Sequence, residues 1–539
     1  MEAYRQEIIV GAVVIYMIFC VITGLWAMRR TKNSSDFFIA GRGLGPIVVS
    51  LALFSSTLSG FGFVGGPGLV YSIGVSSFWM IVISSTGYAL GFFLVAKRIR
   101  MIADVRNCIS LPDVVAARYN SEAVRFLIAV TIVLGVMGYL ATQILAMAVV
   151  MQAILSGIEM FANIGLITCV VISSAVLIFY CVTGGIIASV YTDVVQGAIM
   201  MIANIGLITC VVISSAVLIF YCVTGGIIAS VYTDVVQGAI MMIAGTLILL
   251  TAMSVFDGGM QEATSIILAD DGEAMMPFGA AGIMASLGWF FVFGLGLAGQ
   301  PHLVTKMMMN KKISDNRSIL PMSLFGYVMA ALLWVSIGVI MRAAVIDGVI
   351  SPLSLPDDAA SVFLSVFTNP LLAGIVFAGL FAAIMSTSDA FLNIGTAAII
   401  HDIPKAIRGH SIKNELFWAR VVTVILAIVA ASFALYSHFQ DATLVAILGA
   451  FGWGTFAASI FPVLAIGLNW KGATALGAIS AIVSALLINF IVQLAGIVLP
   501  YGILGGLIAF VVSLILFIGV SLVTKKPELD DDMEAVLNI

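Results

Sequence analysis

The chain has 539 residues, of which 62% are apolar and 9% charged, with a formal net charge of −4 and a mean hydropathy of +1.19. These values lie far outside the range of soluble globular chains and exclude water as the main solvent. Nearly all of the six cysteines lie inside apolar stretches and the four histidines stand at the ends of expected helices, so neither a disulfide framework nor metal-ligand spacing is implied.

A bilayer core about 30 Å thick needs roughly 20 apolar residues per helix. Such stretches run at 7–28, 45–72, 75–96, 124–155 and 161–183, then through a repeated region, and resume at 278–300, 318–341, 361–399, 416–436, 441–468, 472–496 and 501–523. The first is flanked by Glu2 and Glu7 before it and by Arg29 and Arg30 after it, without a small-residue cleavage pattern, which reads as a retained span. Placing the N-terminus outside puts Arg29, Arg30, Lys32 and Arg42, then Lys97 to Arg125, then Lys306 to Arg317, and finally Lys405 to Arg420, Lys471, Lys525 and Lys526 in inner loops or the tail. Only Arg5 and Arg342 then fall outside, while the segment Phe256–Pro277 carries Asp257, Glu262, Asp270, Asp271 and Glu273 and no Lys or Arg. The expectation is an all-α, multi-pass protein of the cell's inner membrane with a cytoplasmic C-terminus, its partner being the bilayer and not nucleic acid.

Residues Ala162–Ile202 recur without one change as Ala203–Ile243. Each 41-residue copy holds a full span, a Thr-Gly-Gly turn and the start of another helix. The apolar run 185–225 would be about 60 Å long as a single helix, so a break near Asn204 and Gly206 is expected. Two added spans leave the sidedness of everything downstream unchanged. The expected architecture is therefore 13 core spans plus one duplicated two-span hairpin, with segments 1–44, 45–260, 261–470 and 471–539. Only one copy can take the native position, and the second, with Asp234, continues into the outer loop.

Two stretches, Phe54–Gly68 and Gly288–Pro301, are interrupted by Gly and Pro in a way ordinary spans are not. Freed backbone groups at membrane depth are tolerable where they line a cavity or bind a ligand. Opening spans two and seven, five spans apart, the interruptions fit a five-plus-five inverted repeat with a site at the midplane. In the ninth span Ala383, Ser386 and Thr387 stand at i, i+3 and i+4, gathering a carbonyl and two hydroxyls on one face. Carbonyls near Ser55 and Leu58 would complete an oxygen cage suited to a small hard cation if the broken second span lies opposite. Without that opposition, the hydroxyls simply bond back to their own helix. Asp193, its copy Asp234, and Asp389 are intramembrane carboxylates and candidates for coupling. Tyr139 and Gln143 share a face of the fourth span and could hydrogen-bond a solute or serve as glue between helices. The GRGLG at Gly41 precedes a membrane span with no strand before it, so it is not a nucleotide loop.

At Asp36–Pro46, Ser55–Phe61, GGIIASVYTDVVQ in both copies, Gly299–His302 and Ala382–Ala390 the chain resembles the sodium:solute symporter family, most of all its sodium/proline branch. The resemblance implies the leucine-transporter fold, alternating access and Na+ as the co-transported ion. It also implies a sodium site made of the Ser55, Leu58 and Ala383 carbonyls with the Ser386 and Thr387 hydroxyls. Ser59, Gly60, Phe61, Tyr139 and Gln143 would line the solute pocket. The chain departs from the branch at Thr57, where an aspartate is usual, and at Phe293 and Leu297, aligned with a tryptophan and a tyrosine. Where some members place two further hydroxyls for a second sodium, it has Asp389 and Ala390. With no paired catalytic histidines or metal ligands in the spans, an enzyme is not expected. The alternatives to Na+ symport are a proton-coupled carrier leaning on Asp389, a non-transporting sensor, and a variant idled by the duplication.

Overall fold

The computed structural model describes residues 4–28, 31–156, 208–439, 445–495, 497 and 499–539. The first copy of the repeat, with Asp193, lies outside them. The principal helices are α1 (Arg5–Met28), α2 (Pro46–Thr57), α3 (Gly66–Ile73), α4 (Phe78–Gly91), α5 (Lys97–Val105), α6 (Leu111–Tyr119), α7 (Glu122–Ser156) and α8 (Ile208–Ala252). They continue with α9 (Gly282–Trp289), α10 (Pro301–Met307), α11 (Asn316–Ile346), α12 (Pro370–Ala397), α13 (Glu415–Phe439), α14 (Val445–Phe461), α15 (Ala475–Leu494), α16 (Gly505–Val523) and α17 (Asp531–Leu537). Among the described residues nine helical runs are long and apolar enough to cross a membrane, and Pro46–Thr57 and Gly452–Ile466 are shorter apolar helices. The chain is therefore a multi-pass membrane protein.

Both sequence interruptions are real breaks. Helix α2 stops at Thr57, where Leu58 leaves the helical region at φ −86°, ψ 89°. The chain then takes a π turn over Phe61–Gly65 before α3. Ser56 and Thr57 turn their hydroxyls back onto the Ala52 and Leu53 carbonyls at 2.5 and 2.9 Å. Gly60 has to be glycine, because a Cβ there would stand 2.6 Å from that of Ala146. In the second break α9 passes through a π turn (Phe290–Gly294) and a 3₁₀ turn (Leu295–Gly299) before an extended Gln300 and α10. Small residues let this segment approach α14: a Cβ on Gly296 would lie 2.4 Å from that of Ala457. The segments flanking the two breaks are tied together, with Leu44 N–H donating to Met309 O at 3.2 Å and Lys311 N–H to Leu44 O at 2.9 Å.

Two expectations need correction. The stretch 361–399 is not one helix: it divides into Ala359–Phe367 and α12, because Pro370 cannot continue a helix and Asn369 caps the next one, accepting from Leu372 N–H at 2.9 Å. The Thr-Gly-Gly of the second copy is not a turn either. Helix α8 runs through Thr224, Gly225 and Gly226 for 45 residues, or about 68 Å at the helical rise. A glycine inside a helix costs only about 1 kcal/mol, and no polar loop residue draws the chain out there. Helix α8 packs on α1, α2, α11 and α12.

At one end Arg342 donates to Asp271 at 2.7 Å and to the Tyr71 and Ser72 carbonyls. At the basic end, α6 is fastened by Asp113, which takes Lys405 at 2.9 Å, His401 Nε2 at 3.1 Å and Arg125. Burial alone would raise the Asp113 carboxyl, but the His401 and Lys405 partners outweigh it and hold the group well below the usual carboxylate range. Asp113, His401 and Asp402 offer ligand atoms within 4.8 Å of one another. Arg125 and Lys405 already neutralise that group, which is a structural lock and not a cation site. The tail helix α17 buries Met533, Val536 and Leu537 and pairs Asp530 and Asp532 with Arg106 at 2.5 and 2.6 Å.

Candidate ion and solute site

Helix α12 lies against the end of α2. The Ser386 hydroxyl stands 3.0 Å from Ser55 O and 2.9 Å from Ala383 O. Thr387 Oγ1 stands 3.1 Å from Ser56 O and 3.2 Å from Ala383 O. All of these residues are buried, Ser55, Ala383, Ser386 and Thr387 at 0% exposure and Leu58 at 2%. Two hydroxyls from an intact helix thus face the last carbonyls of a broken one, with no charge among these oxygens. Leu58 is the residue at which α2 ends, its N–H bonded to Phe54 O at 3.1 Å.

Beyond the break, Ser59 Oγ pairs with the Tyr139 hydroxyl at 2.8 Å, and Gly60 N–H donates to Gln143 Oε1 at 2.9 Å. Tyr139 and Gln143, one turn apart on α7, therefore hold the unwound segment itself. Phe61 opens the π turn. Phe293 in the second break meets Trp453 of α14 in a tilted contact at 5.3 Å, and the Trp453 ring lies 6.3 Å from that of Tyr139. Leu297 is buried, and a Cβ on Gly87 of α4 would meet its Cβ at 2.8 Å. Thr57, at the aspartate position of the proline branch, is engaged by the Tyr88 hydroxyl.

Asp234 is fully buried and paired with Lys306 Nζ at 2.6 Å. The same ammonium reaches Ala52 O at 3.1 Å and the Ser56 hydroxyl. One lysine from α10 therefore links the carboxylate of α8 to the broken helix, just behind the carbonyls that face Ser386 and Thr387. Asp389 accepts from Ser230 of α8 at 2.7 Å, and Asn393 donates to its carbonyl at 2.9 Å. Asp193 lies outside the described residues.

The sequence reading missed Lys306, Trp453, Gln300 and His302 as members of this region. Lys306 counted as an inner-loop charge, yet it is 1% exposed. Its signal was available: it stands one helical turn after His302, in a motif already singled out.

A bundle of apolar helices, two of them unwound around a buried polar centre, is the architecture of a secondary transporter. The family model for the sodium:solute symporter family matches residues 37–216 and 204–485, the two matches overlapping within the repeat, and the chain belongs to that family. It is 26% identical over 549 aligned positions to a sodium/proline symporter of Staphylococcus aureus, covering 96% of this chain and 92% of the relative. Among solved structures it shares its fold with a Na+-coupled sialic acid symporter, at TM-score 0.71 and 16% identity, with 97% of this chain and 99% of the other covered. The protein is thus a symporter with Na+ as its co-transported ion, and not an enzyme.

Proposed function

We propose that the chain carries a small organic solute into the cell by alternating access between two inverted repeats, 45–260 and 261–470, with the N-terminus outside and the tail in the cytoplasm. Sodium is held by the Ser55, Leu58 and Ala383 carbonyls and the Ser386 and Thr387 hydroxyls. Ser59, Gly60, Phe61, Tyr139, Gln143, Phe293 and Leu297 border the solute. The observation that carries this reading is the meeting of Ser386 and Thr387 with the carbonyls at the break, at 3.0 and 3.1 Å. An ion bound there steadies the unwound turn, and that turn presents Ser59 and Gly60 to Tyr139 and Gln143. Each ligand therefore raises affinity for the other reciprocally. Asp234, beside the cage and held by Lys306, is the group through which the ion leaves; Asp193 is its duplicate, and Asp389 tunes the same helix contact.

One sodium crossing about 100 mV contributes roughly 2.3 kcal/mol, and a tenfold gradient roughly 1.4 more. The test is uptake of radiolabelled candidate solutes in proteoliposomes together with Na+-dependent thermal stabilisation. Ser386→Ala with Thr387→Ala should abolish both. Stabilisation as strong in K+ as in Na+, or a normal rate in that double variant, would refute the site.

A further inference from the structure

Four buried side chains around the break have polar atoms with no hydrogen-bond partner among the described residues: Gln143 Nε2, Gln300 Oε1, both ring nitrogens of His302, and Trp453 Nε1. Their exposures are 0, 0, 1 and 3%. They belong to one neighbourhood. The His302 ring lies against that of Phe391 with centroids 4.4 Å apart, and Phe391 against Tyr139 at 4.7 Å, both pairs tilted. The Gln300 amide reaches Trp453 O at 3.5 Å, while Gln143 holds Gly60 next to Ser59 and Tyr139. His302 is turned toward the Ser56 backbone and Trp453 toward the Tyr139 hydroxyl, in neither case closing a hydrogen bond. A buried polar group left unpaired is costly, so such a cluster in one place is the imprint of a polar ligand.

That imprint mixes donors and acceptors but holds no negative charge. Gln143 and Trp453 offer N–H donors, Gln300 offers a carbonyl, and His302 offers one donor and one acceptor in its neutral form. None of the four is acidic, and the neighbouring carboxylates are engaged, Asp234 by Lys306 and Asp389 by Ser230. A cationic amine buried here would meet no counter-charge, and an unpaired buried ion is heavily penalised. A carboxylate, by contrast, meets N–H donors, and Gln143 holds Gly60, two residues past the Leu58 carbonyl assigned to sodium. Resting on the sodium site proposed above, we infer that the solute is a small carboxylate without a cationic amine, carrying a hydroxyl, ether or carbonyl oxygen that the Gln300 and His302 end of the cluster recognises.

Matched pairs test this in the purified full chain in nanodiscs: L-lactate against L-alanine, L-glycerate against L-serine, and tetrahydrofuran-2-carboxylate against L-proline, each titrated in Na+ and in K+. Sodium alone should stabilise the protein, and if it does not, the sodium site fails before the solute is in question. With that stabilisation present, the oxygen member of at least one pair should bind at least tenfold tighter than its amine. Equal or tighter binding of the amines, or no sodium-dependent binding of any oxygen member, overturns the inference. Gln143→Glu, checked for folding by its sodium-only stabilisation, should move the ranking toward the amines. A ranking unmoved by that charge would also overturn it.

Discussion

Removing one partner of the Asp234–Lys306 pair should be far more damaging than removing both. At 2.6 Å the gross attraction between the charges is about 6 kcal/mol at an effective dielectric constant near 20, set against a desolvation penalty of similar size. A single Asp234→Leu or Lys306→Met change strands the other group at 0–1% exposure and should destabilise the protein by about 3–5 kcal/mol. The two losses should differ. Without Asp234, Lys306 still has Ala52 O and the Ser56 hydroxyl, and hydrogen bonds to a charged group retain about 1.5–3 kcal/mol each. Without Lys306, Asp234 is left with only the neutral Ser55 hydroxyl beside it, so Lys306→Met should be the worse variant. The double variant should recover to within about 1 kcal/mol of the parent and yet transport poorly, since the link between α8 and the broken helix is gone. Unfolding titrations in mixed micelles give the stabilities and proteoliposome uptake gives the activity. Single variants within about 1 kcal/mol of the parent, or a double variant as unstable as the worse single, would refute the argument.

Other outcomes follow from the packing and the charged loops. Gly66→Ala should cost about 1–3 kcal/mol, because the new methyl would stand 2.3 Å from the Trp334 ring; the midpoint of the same titration checks it, and an unchanged midpoint would show that Trp334 moves freely. Asp113→Asn should destabilise at pH 7, because a carboxyl held below its ordinary value stabilises the fold above about pH 4. That deficit should narrow as the pH falls below about 4, and a deficit constant down to about pH 3 would contradict it. The tail should resist carboxypeptidase even in molar NaCl. Its ion pairs to Arg106 are half-exposed and worth about 0–1 kcal/mol each, whereas burying Met533, Val536 and Leu537 contributes about 1.5–3 kcal/mol per side chain. Val536→Asp with Leu537→Asp should release it, and release by salt alone would reverse that ranking.

Glycine and proline made the two breaks legible, because their freed backbone can only be accommodated around something polar, and the Ala383, Ser386, Thr387 spacing put three oxygens on one face. What faced them was not in the sequence: that Ser56 as well as Ser55 meets the hydroxyls depends on where α2 ends. Lys306 was hidden by a rule that is right on average, since basic residues past a span belong to the inner loop until a buried carboxylate holds one back. Trp453 carried no signal, for an aromatic in an apolar stretch is ordinarily core. The split at Asn369 and Pro370 was legible as a turn dipeptide, but apolar residues on both sides masked it. The unbroken α8 was missed for the opposite reason, Gly-Gly suggesting a turn that no polar residue supports.

The hydroxyls of Ser386 and Thr387 each carry a single hydrogen, and both sit within bonding distance of carbonyls that a metal would also use. At the site proposed for Na+, admitting the ion would mean swinging two protons aside so that lone pairs, together with the abandoned carbonyls, point inward. Occupancy of that proposed site would be an exchange of partners and not a simple gain, which would keep the grip loose. A carrier must let go of its driving ion on every cycle, and a cage able to close upon itself once emptied makes that departure easy.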